Sequence, residues 1–139
     1  KTALMISAKN CRELFSALIE ENINPNATNL SGVTALHIAT EYPINTTVLK
    51  KLLKHPNIII DQPDKEGSTP LLNSLINRKR FKFTEAFYSA IKKFIASGAD
   101  PECENQNKKT PMDAANELGY DVIIDMIGSA IERKYLQQD

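Results

Sequence analysis

The chain has 139 residues, about the length of one domain, and its 17 Lys and Arg residues balance 17 Asp and Glu residues. A net charge of zero argues against a dedicated nucleic-acid binder, since such domains usually carry a basic excess. The hydrophobic content of 42% suits a soluble globular domain, and no stretch approaches the about 20 apolar residues of a membrane span. We therefore expect neither a nucleic acid nor a membrane as a partner.

Residues that carry chemistry are few. Cys11 and Cys103 lie far apart, which predicts two free thiols in a reducing compartment such as the cytoplasm. His37 and His55 are the only histidines, and no glycine-rich phosphate loop is present. We expect no enzyme activity, no catalytic residue, no metal site and no cofactor.

Four segments along the chain begin alike, at Thr2, Thr34, Thr69 and Thr110. Their spacings of 32, 35 and 41 residues indicate a repeat with a period near 33 and insertions. Each threonine precedes a short apolar stretch, a polar break, and a second stretch with apolar residues at helical spacing. Each unit is therefore predicted to be two short helices and a turn.

The first and last units differ from the middle ones. The chain starts at Lys1 rather than Met, so unit one reads either as an N-terminal cap or as the cut edge of a longer protein. In unit four the second helix is expected to run through Ala130 and Ile131 into a charged tail. Because a terminal repeat needs a polar outer face, this tail predicts a C-terminal cap.

Unit three has about nine extra residues, from 77 to 86, which include the basic and aromatic run 78–83 (RKRFKF). This run reads as a loop folded onto the repeats, as a contact for a partner protein, or as a single-strand nucleic-acid contact. Thr84 is predicted to cap a longer second helix, Glu85–Ala96. A second basic run lies at 50–54.

These motifs resemble the ankyrin repeat family. The segments that carry the resemblance are 34–39 (TALHIA), 64–71 (DKEGSTPL) and 98–101 (GADP). The resemblance implies an all-α solenoid of about four helix-turn-helix repeats, with short β-hairpin or turn connections and an enlarged third repeat. It implies one domain, 1–139, with repeats at about 1–28, 29–61, 64–101 and 105–136. It also implies that His37 hydrogen-bonds the backbone of the neighbouring turn.

The family's use implies a protein-interaction module that binds a partner protein through the concave face of the stack, as a monomer. Carried over by position and by the unit-three insertion, the partner-binding candidates are Leu30, Ser31, Val33, Glu41, Tyr42, Lys65, Glu66, Ser68, Asn77, Arg78, Arg80, Gln106, Asn107 and Lys109. For Val33 and Tyr42, packing between repeats is the alternative interpretation.

The composition bears on the origin. The chain has 15 Ile, 13 Lys and 12 Asn residues, which suits an AT-rich genome. Degenerate repeats with irregular insertions resemble ankyrin proteins of intracellular bacteria and large viruses, which favours an effector that engages a host protein in the host cytosol. Two alternatives stay open: the substrate-targeting segment of a larger enzyme whose catalytic domain is absent from this chain, and a scaffold that spaces neighbouring repeats.

Overall fold

The computed structural model describes residues 24–41, 44, 46–80 and 84–136, and every regular element among them is helical. The α-helices are α1 (Ala35–Ala39), α2 (Thr46–Lys54), α3 (Pro70–Ile76), α4 (Glu85–Ala96), α5 (Pro111–Leu118) and α6 (Asp121–Leu136), and a 3-10 helix (Asn77–Arg80) follows α3. Within these ranges the prediction of an all-α chain is confirmed, since no strand occurs there. Most of the first predicted unit, residues 1–23, lies outside the described residues.

Threonines cap four of these helices, among them α4, for which the sequence predicts Thr84 as the cap. In each case the threonine Oγ1 accepts the backbone N–H of the third helical residue, at 3.2 to 3.4 Å. The four capping residues are Thr34, Thr69, Thr84 and Thr110. Pro70 and Pro111 occupy the first helical position, where a missing N–H costs nothing. Each such cap contributes about 1 kcal/mol to helix stability.

The helices form two layers. The short helices α1, α3 and α5 contact one another in that order as an inner layer, and α2, α4 and α6 do so as an outer layer. In the second and fourth units the inner helix also packs on its outer partner, α1 on α2 and α5 on α6. No helix among the described residues is long and apolar enough to cross a membrane.

The core lies between the two layers. Its largest fully buried side chains are Phe87, Phe94, Leu36, Leu49, Leu52, Leu71, Leu72, Leu75 and Ile91. Within α4, Phe87, Ala90, Ile91 and Phe94 follow the spacing of one helix face, which explains why a long helix forms there. The core therefore runs continuously along the stack, and it holds the loops at either edge in a fixed position.

Hairpin-like turns precede α1, α3 and α5, and each begins with an Asn or Asp: Asn29, Asp64 and Asn105. The Oδ1 atom of that residue accepts the N–H groups of the residues two and four positions later, at 2.9 to 3.1 Å. The backbone N–H of the same residue donates to the carbonyl four positions later, at 3.0 to 3.1 Å. One side chain therefore closes the whole turn.

Successive turns stack through their backbones. The Lys65 N–H donates to the Ser31 carbonyl at 3.0 Å, and the Gln106 N–H donates to the Glu66 carbonyl at 2.8 Å. This approach requires glycine in the lower turn, because a Cβ at Gly32 would lie 3.0 Å from the Lys65 nitrogen. Gly32 also has a positive φ of 75°, which side chains disfavour.

The fourth unit departs from this rule at Lys108, which has a φ of 61° where the other turns have glycine. Among the described residues no further turn stacks on this one, and Lys108 is exposed. Its Cβ therefore meets no neighbouring backbone, and only the left-handed conformation carries a cost.

At the opposite edge, side chains in the loops that connect one unit to the next bind the backbone of the following loop. The Asn26 amide donates to the Asn57 carbonyl at 2.7 Å and accepts the Ile59 N–H at 2.8 Å. The Asp61 carboxylate accepts the Asp100 N–H at 3.0 and 3.2 Å. The stack is therefore braced at both edges of the helix layers.

We expect Gly32→Ala to cost more stability than Gly119→Ala. Gly119 has a similar φ of 73°, but a Cβ there would meet nothing within 4 Å. Gly119→Ala should lower the free energy of unfolding by about 1 kcal/mol, the cost of a left-handed residue. Gly32→Ala should cost about 2–3 kcal/mol, because the new methyl group also pushes against the Lys65 backbone. Urea unfolding followed by circular dichroism measures both, and equal losses would contradict the stacking argument.

Candidate functional site

The tips of the three described turns form a row of exposed side chains, here called the tip row. Its members are Leu30, Ser31, Lys65, Glu66, Gln106 and Asn107, all of them exposed and all predicted from the sequence as partner-binding candidates. The backbone bonds between turns set their spacing, and the Gln106 side chain adds a bond to the Lys65 carbonyl at 2.7 Å. These side chains therefore project from turns that are joined by a ladder of backbone hydrogen bonds, and not from free loops.

Leu30 is the most exposed large hydrophobic residue of the tip row, with 90% of its surface accessible. It follows Asn29, whose side chain closes the turn, so its backbone is held although its side chain touches little. An exposed leucine on a fixed backbone loses little conformational freedom when it is buried by another molecule. Leu30 is therefore the candidate apolar anchor of the row.

Behind the tip row, the returning arm of each turn carries one further candidate. These are Val33, Ser68 and Lys109. Ser68 is buried, with 2% exposure, so the expectation that it lies on the contact surface is wrong. It is buried because its carbonyl accepts bonds from the Asp64 N–H and from His37. Val33 is half-buried against the core, as the packing alternative predicts, and Lys109 is half-buried with its Nζ 2.8 Å from Glu117.

His37 joins α1 to the following turn. Its Nδ1 lies 3.2 Å from the Thr34 N–H and its Nε2 lies 3.0 Å from the Ser68 carbonyl. The Thr34 N–H therefore donates to Nδ1, and a proton on Nε2 donates to Ser68, which confirms the expected bond to the neighbouring turn. Burial lowers the pKa of His37, against the smaller raising effects of the Ser68 bond and the Asp64 charge. The neutral His37 ring therefore has a structural role: it links α1 to the following turn.

Two further candidates lie at the ends of the short inner helices α1 and α3. Glu41 is exposed just after α1, and Asn77 is exposed at the end of α3, where its N–H caps the helix. Both lie on the same layer as the tip row. Tyr42 lies outside the described residues, as does the side chain of Arg80.

Arg78, predicted as a partner contact, is instead buried, with 3% exposure. Its guanidinium lies 4.7 Å from the centre of the Phe87 ring and donates to the Thr84 Oγ1 at 3.3 Å. A guanidinium stacks well on an aromatic face, and this contact turns the start of the insertion back onto α4. The expectation that Arg78 is a surface contact is therefore wrong. The described part of the insertion folds against its own unit.

A polar cluster that the sequence does not predict lies where α6 meets the loop after α4. Lys134 Nζ lies 3.2 Å from the Asp100 carboxylate and 3.4 Å from that of Glu102, and the Tyr135 hydroxyl donates to Glu102 at 3.3 Å. The bond to Asp100 raises the pKa of Lys134 most. The only sequence signal was a charged tail, which reads equally well as a solvated end.

Chemical reactivity at this edge is low. Cys103 is half-buried, and burial is the main cause that raises the pKa of its thiol, although a contact with Thr69 Oγ1 at 3.3 Å lowers it. Within the described ranges, no three His, Cys, Asp or Glu side chains are grouped to hold a metal ion. Cys11 and the rest of residues 1–23 lie outside the described residues, so the predictions for them stay predictions.

Comparison with known proteins agrees with the family resemblance of the sequence motifs. The family described as ankyrin repeats, in three copies, matches residues 4–85. Mouse Rabankyrin-5 is 27% identical over 109 residues, which is 78% of this chain and 9% of that protein. The ankyrin repeat protein YahD of Escherichia coli is 27% identical over 84 residues, 60% of this chain and 40% of that protein.

A solved structure shows the same fold. The crystal structure of an ankyrin repeat domain from Acinetobacter baumannii superimposes with a TM-score of 0.83 at 19% sequence identity. The match covers 94% of this chain and 64% of the other. This chain therefore spans only part of each of these proteins.

The stability of the fold should depend on the protonation of His37. Its pKa is lowered on folding, so the unfolded chain binds a proton more readily, and stability is full above the unfolded pKa of about 6.5. As pH falls below that value, the free energy of unfolding should drop by up to about 1.4 kcal/mol per pH unit until the folded pKa is reached. Urea unfolding between neutral and mildly acidic pH measures this slope.

His37→Gln is the matched variant for that measurement. Glutamine can still donate to the Ser68 carbonyl but does not titrate, and His55 is present in both proteins, so its contribution cancels. We expect a shallower slope for the variant. Parallel pH profiles for the two proteins would contradict the structural role of the neutral ring.

Arg78→Ala should destabilise the chain by about 1–2 kcal/mol, because it removes the stacking on Phe87 and the bond to Thr84. Lys92→Ala, at an exposed position of α4, is the control and should change stability by less than about 0.5 kcal/mol. Thermal and urea unfolding compare the two. A stable Arg78→Ala protein would instead favour a surface role for this arginine.

Proposed function

The chain belongs to the ankyrin repeat family, and we propose that it binds a partner protein through the tip row and the adjoining ends of the inner helices. Ankyrin repeats are protein–protein interaction modules. The observation that carries the proposal is Leu30, whose side chain is 90% exposed on a backbone held by its own turn. Binding energy at interfaces concentrates in a few such anchors.

The neighbours of Leu30 suit a mixed interface. Lys65 and Glu66 place one charge of each sign in the next turn, and Asn107 offers an amide in the third. A partner with an apolar side chain opposite Leu30 and polar groups along one line would match this pattern. Since the turns are already ordered by the ladder, binding needs little rearrangement.

We further place this module, as a monomer, in the cytoplasm, and specifically in the host cytosol as a secreted effector of an intracellular bacterium. The abundance of Ile, Lys and Asn supports this proposal. The similarity to proteins of Escherichia coli and Acinetobacter baumannii supports a bacterial source. No catalytic role is proposed for any residue of the chain.

A second proposal is that the chain is the substrate-targeting part of a larger enzyme. It is favoured by the small share of the curated relatives that the chain spans, 9% and 40% of their lengths. The same tip row would then select the substrate protein. The two proposals differ in what the captured protein is: a host protein in one, and a protein chemically modified by the parent protein in the other.

Affinity capture from a eukaryotic lysate, with quantitative mass spectrometry, tests the tip row. A captured partner should bind Leu30→Ala at least tenfold more weakly in calorimetry, the loss expected of an interface anchor. The variant should keep its helical circular dichroism, because the side chain is 90% exposed. The control is Lys92→Glu, in the outer layer.

Either of two results would contradict the proposal. The same proteins could be captured in equal amounts by wild type and Leu30→Ala, or Lys92→Glu could abolish capture while Leu30→Ala does not. In each case the tip row would not be the binding surface.

A further inference from the structure

The outer layer carries a second surface with a different character. A small groove of about 170 Å³ lies between α2 and α4. Leu53 and Ala96 form its apolar floor, and Lys50, Lys54 and Lys93 surround it. The basic run 50–54 of the sequence thus meets a lysine of the next unit across an apolar strip.

The positive charge of this groove is not neutralised within the described part of the chain. Lys50 and Lys54 are exposed, and neither they nor Lys93 forms an ion pair with a carboxylate there. Lys93 donates to the Ser89 hydroxyl of its own helix at 2.6 Å, which holds its amine in position without neutralising it. Three like charges around one groove favour an anionic occupant.

A larger groove of about 530 Å³ lies on the other side of α4, between its end and α6. Ile95, Ala99 and Ala130 contribute apolar surface, and Arg133 stands at its edge. Asp100 and Lys134 also line this groove, where they pair with each other at 3.2 Å. Ala96 lines both grooves and is itself exposed. Only a methyl group therefore separates the two grooves at this point of α4.

We infer that this outer-helix surface, the two grooves that meet at Ala96, binds an acidic segment of a partner protein. The segment crosses α4 over Ala96 and places one apolar side chain in each groove. Its carboxylates face Lys50, Lys54 and Lys93 on one side and Arg133 on the other. This surface lies on the layer opposite the tip row, so the inference does not depend on the proposed function.

The dimensions set the spacing of the two apolar side chains. Packed helices lie about 8–10 Å apart, so the grooves on either side of α4 are separated by about that distance. A segment in the polyproline II conformation rises about 3.1 Å per residue and brings every third side chain to the same face. Two anchors three residues apart in such an acidic segment therefore lie about 9 Å apart and reach both grooves.

The lining favours a peptide over a membrane or a nucleic acid. Membrane-surface binding needs apolar side chains that project outward, whereas Leu53 is half-buried in the floor of its groove. Single-stranded nucleic acids need aromatic side chains for base stacking, and neither groove has an aromatic residue in its lining. Both grooves have apolar side chains in their lining, one beside three lysines and the other beside Arg133, and this fits apolar side chains flanked by carboxylates.

The probe is a fluorescent peptide of about ten residues, rich in Glu and Asp, with two leucines three residues apart, the spacing that shares one face of a polyproline II segment. Titration followed by anisotropy and by amide chemical shifts should show saturable binding, with shifts at residues 50–54, 93–97 and 130–134. Binding should weaken with added salt, because exposed charges are screened. A peptide with both leucines changed to serine should bind at least tenfold more weakly.

Ala96→Glu is the decisive variant, because it fills the crossing point with a negative charge at an exposed helical position. It should weaken peptide binding at least tenfold. Lys50→Glu, at the edge of one groove, should weaken it as well. Lys65→Glu, in the tip row, is the matched charge reversal and should leave peptide affinity unchanged while remaining free to affect the tip-row partner. Circular dichroism confirms that each variant is folded.

Several results would overturn the inference. These are no saturable binding by the acidic peptide, chemical shifts at the tip row instead, equal affinity of Ala96→Glu and wild type, or equal affinity of the serine peptide. Vesicles of phosphatidylcholine with roughly one-third phosphatidylserine form the membrane arm. Vesicle binding that Ala96→Glu abolishes, without peptide binding, would assign the surface to lipid and overturn the peptide proposal.

Discussion

The close stacking of successive turns is the constraint on which the rest of the structure depends. Two backbone bonds, from Lys65 to Ser31 and from Gln106 to Glu66, hold the turns together. They form only because each turn is closed by one Asn or Asp side chain and because glycine leaves room for the next backbone. Once this spacing is set, the inner helices must follow one another in register, and their apolar faces meet the outer helices.

The sequence predicts the helix starts and the turns well, because the interactions that set them are local. A threonine cap, a proline at the first helical position and a glycine with positive φ each act within a few residues of themselves. The bounds of α4, Glu85–Ala96, follow from Thr84 and the spacing of the apolar residues after it, and the structure has the same bounds. The His37 bond came from the family resemblance, and the geometry reproduces it.

The side chains that the sequence misplaced are those whose surroundings are distant in the chain or depend on an insertion. Nothing near Arg78 in sequence shows that Phe87 will stack on it, because that contact needs the insertion to turn back. Ser68 occupies a position that is exposed in a lone turn and buried once His37 of the previous unit reaches its carbonyl. Lys134 pairs with Asp100, which lies 34 residues earlier in the chain. A charged tail in the sequence predicts only that its side chains are solvated.

The zero net charge conceals two surfaces that differ in how binding would respond to salt. The tip row combines an exposed leucine with a single Lys and Glu pair, both in the second turn, so screening changes its partner's affinity little. The outer-helix surface gathers Lys50, Lys54 and Lys93, whose attraction acts over the about 8–10 Å that physiological salt allows. Since the two surfaces lie on opposite layers of one braced stack, each is sterically accessible while the other is occupied. Occupying one would alter affinity at the other only by shifting the inner helices against the outer ones, at packed contacts such as α1 on α2 and α5 on α6.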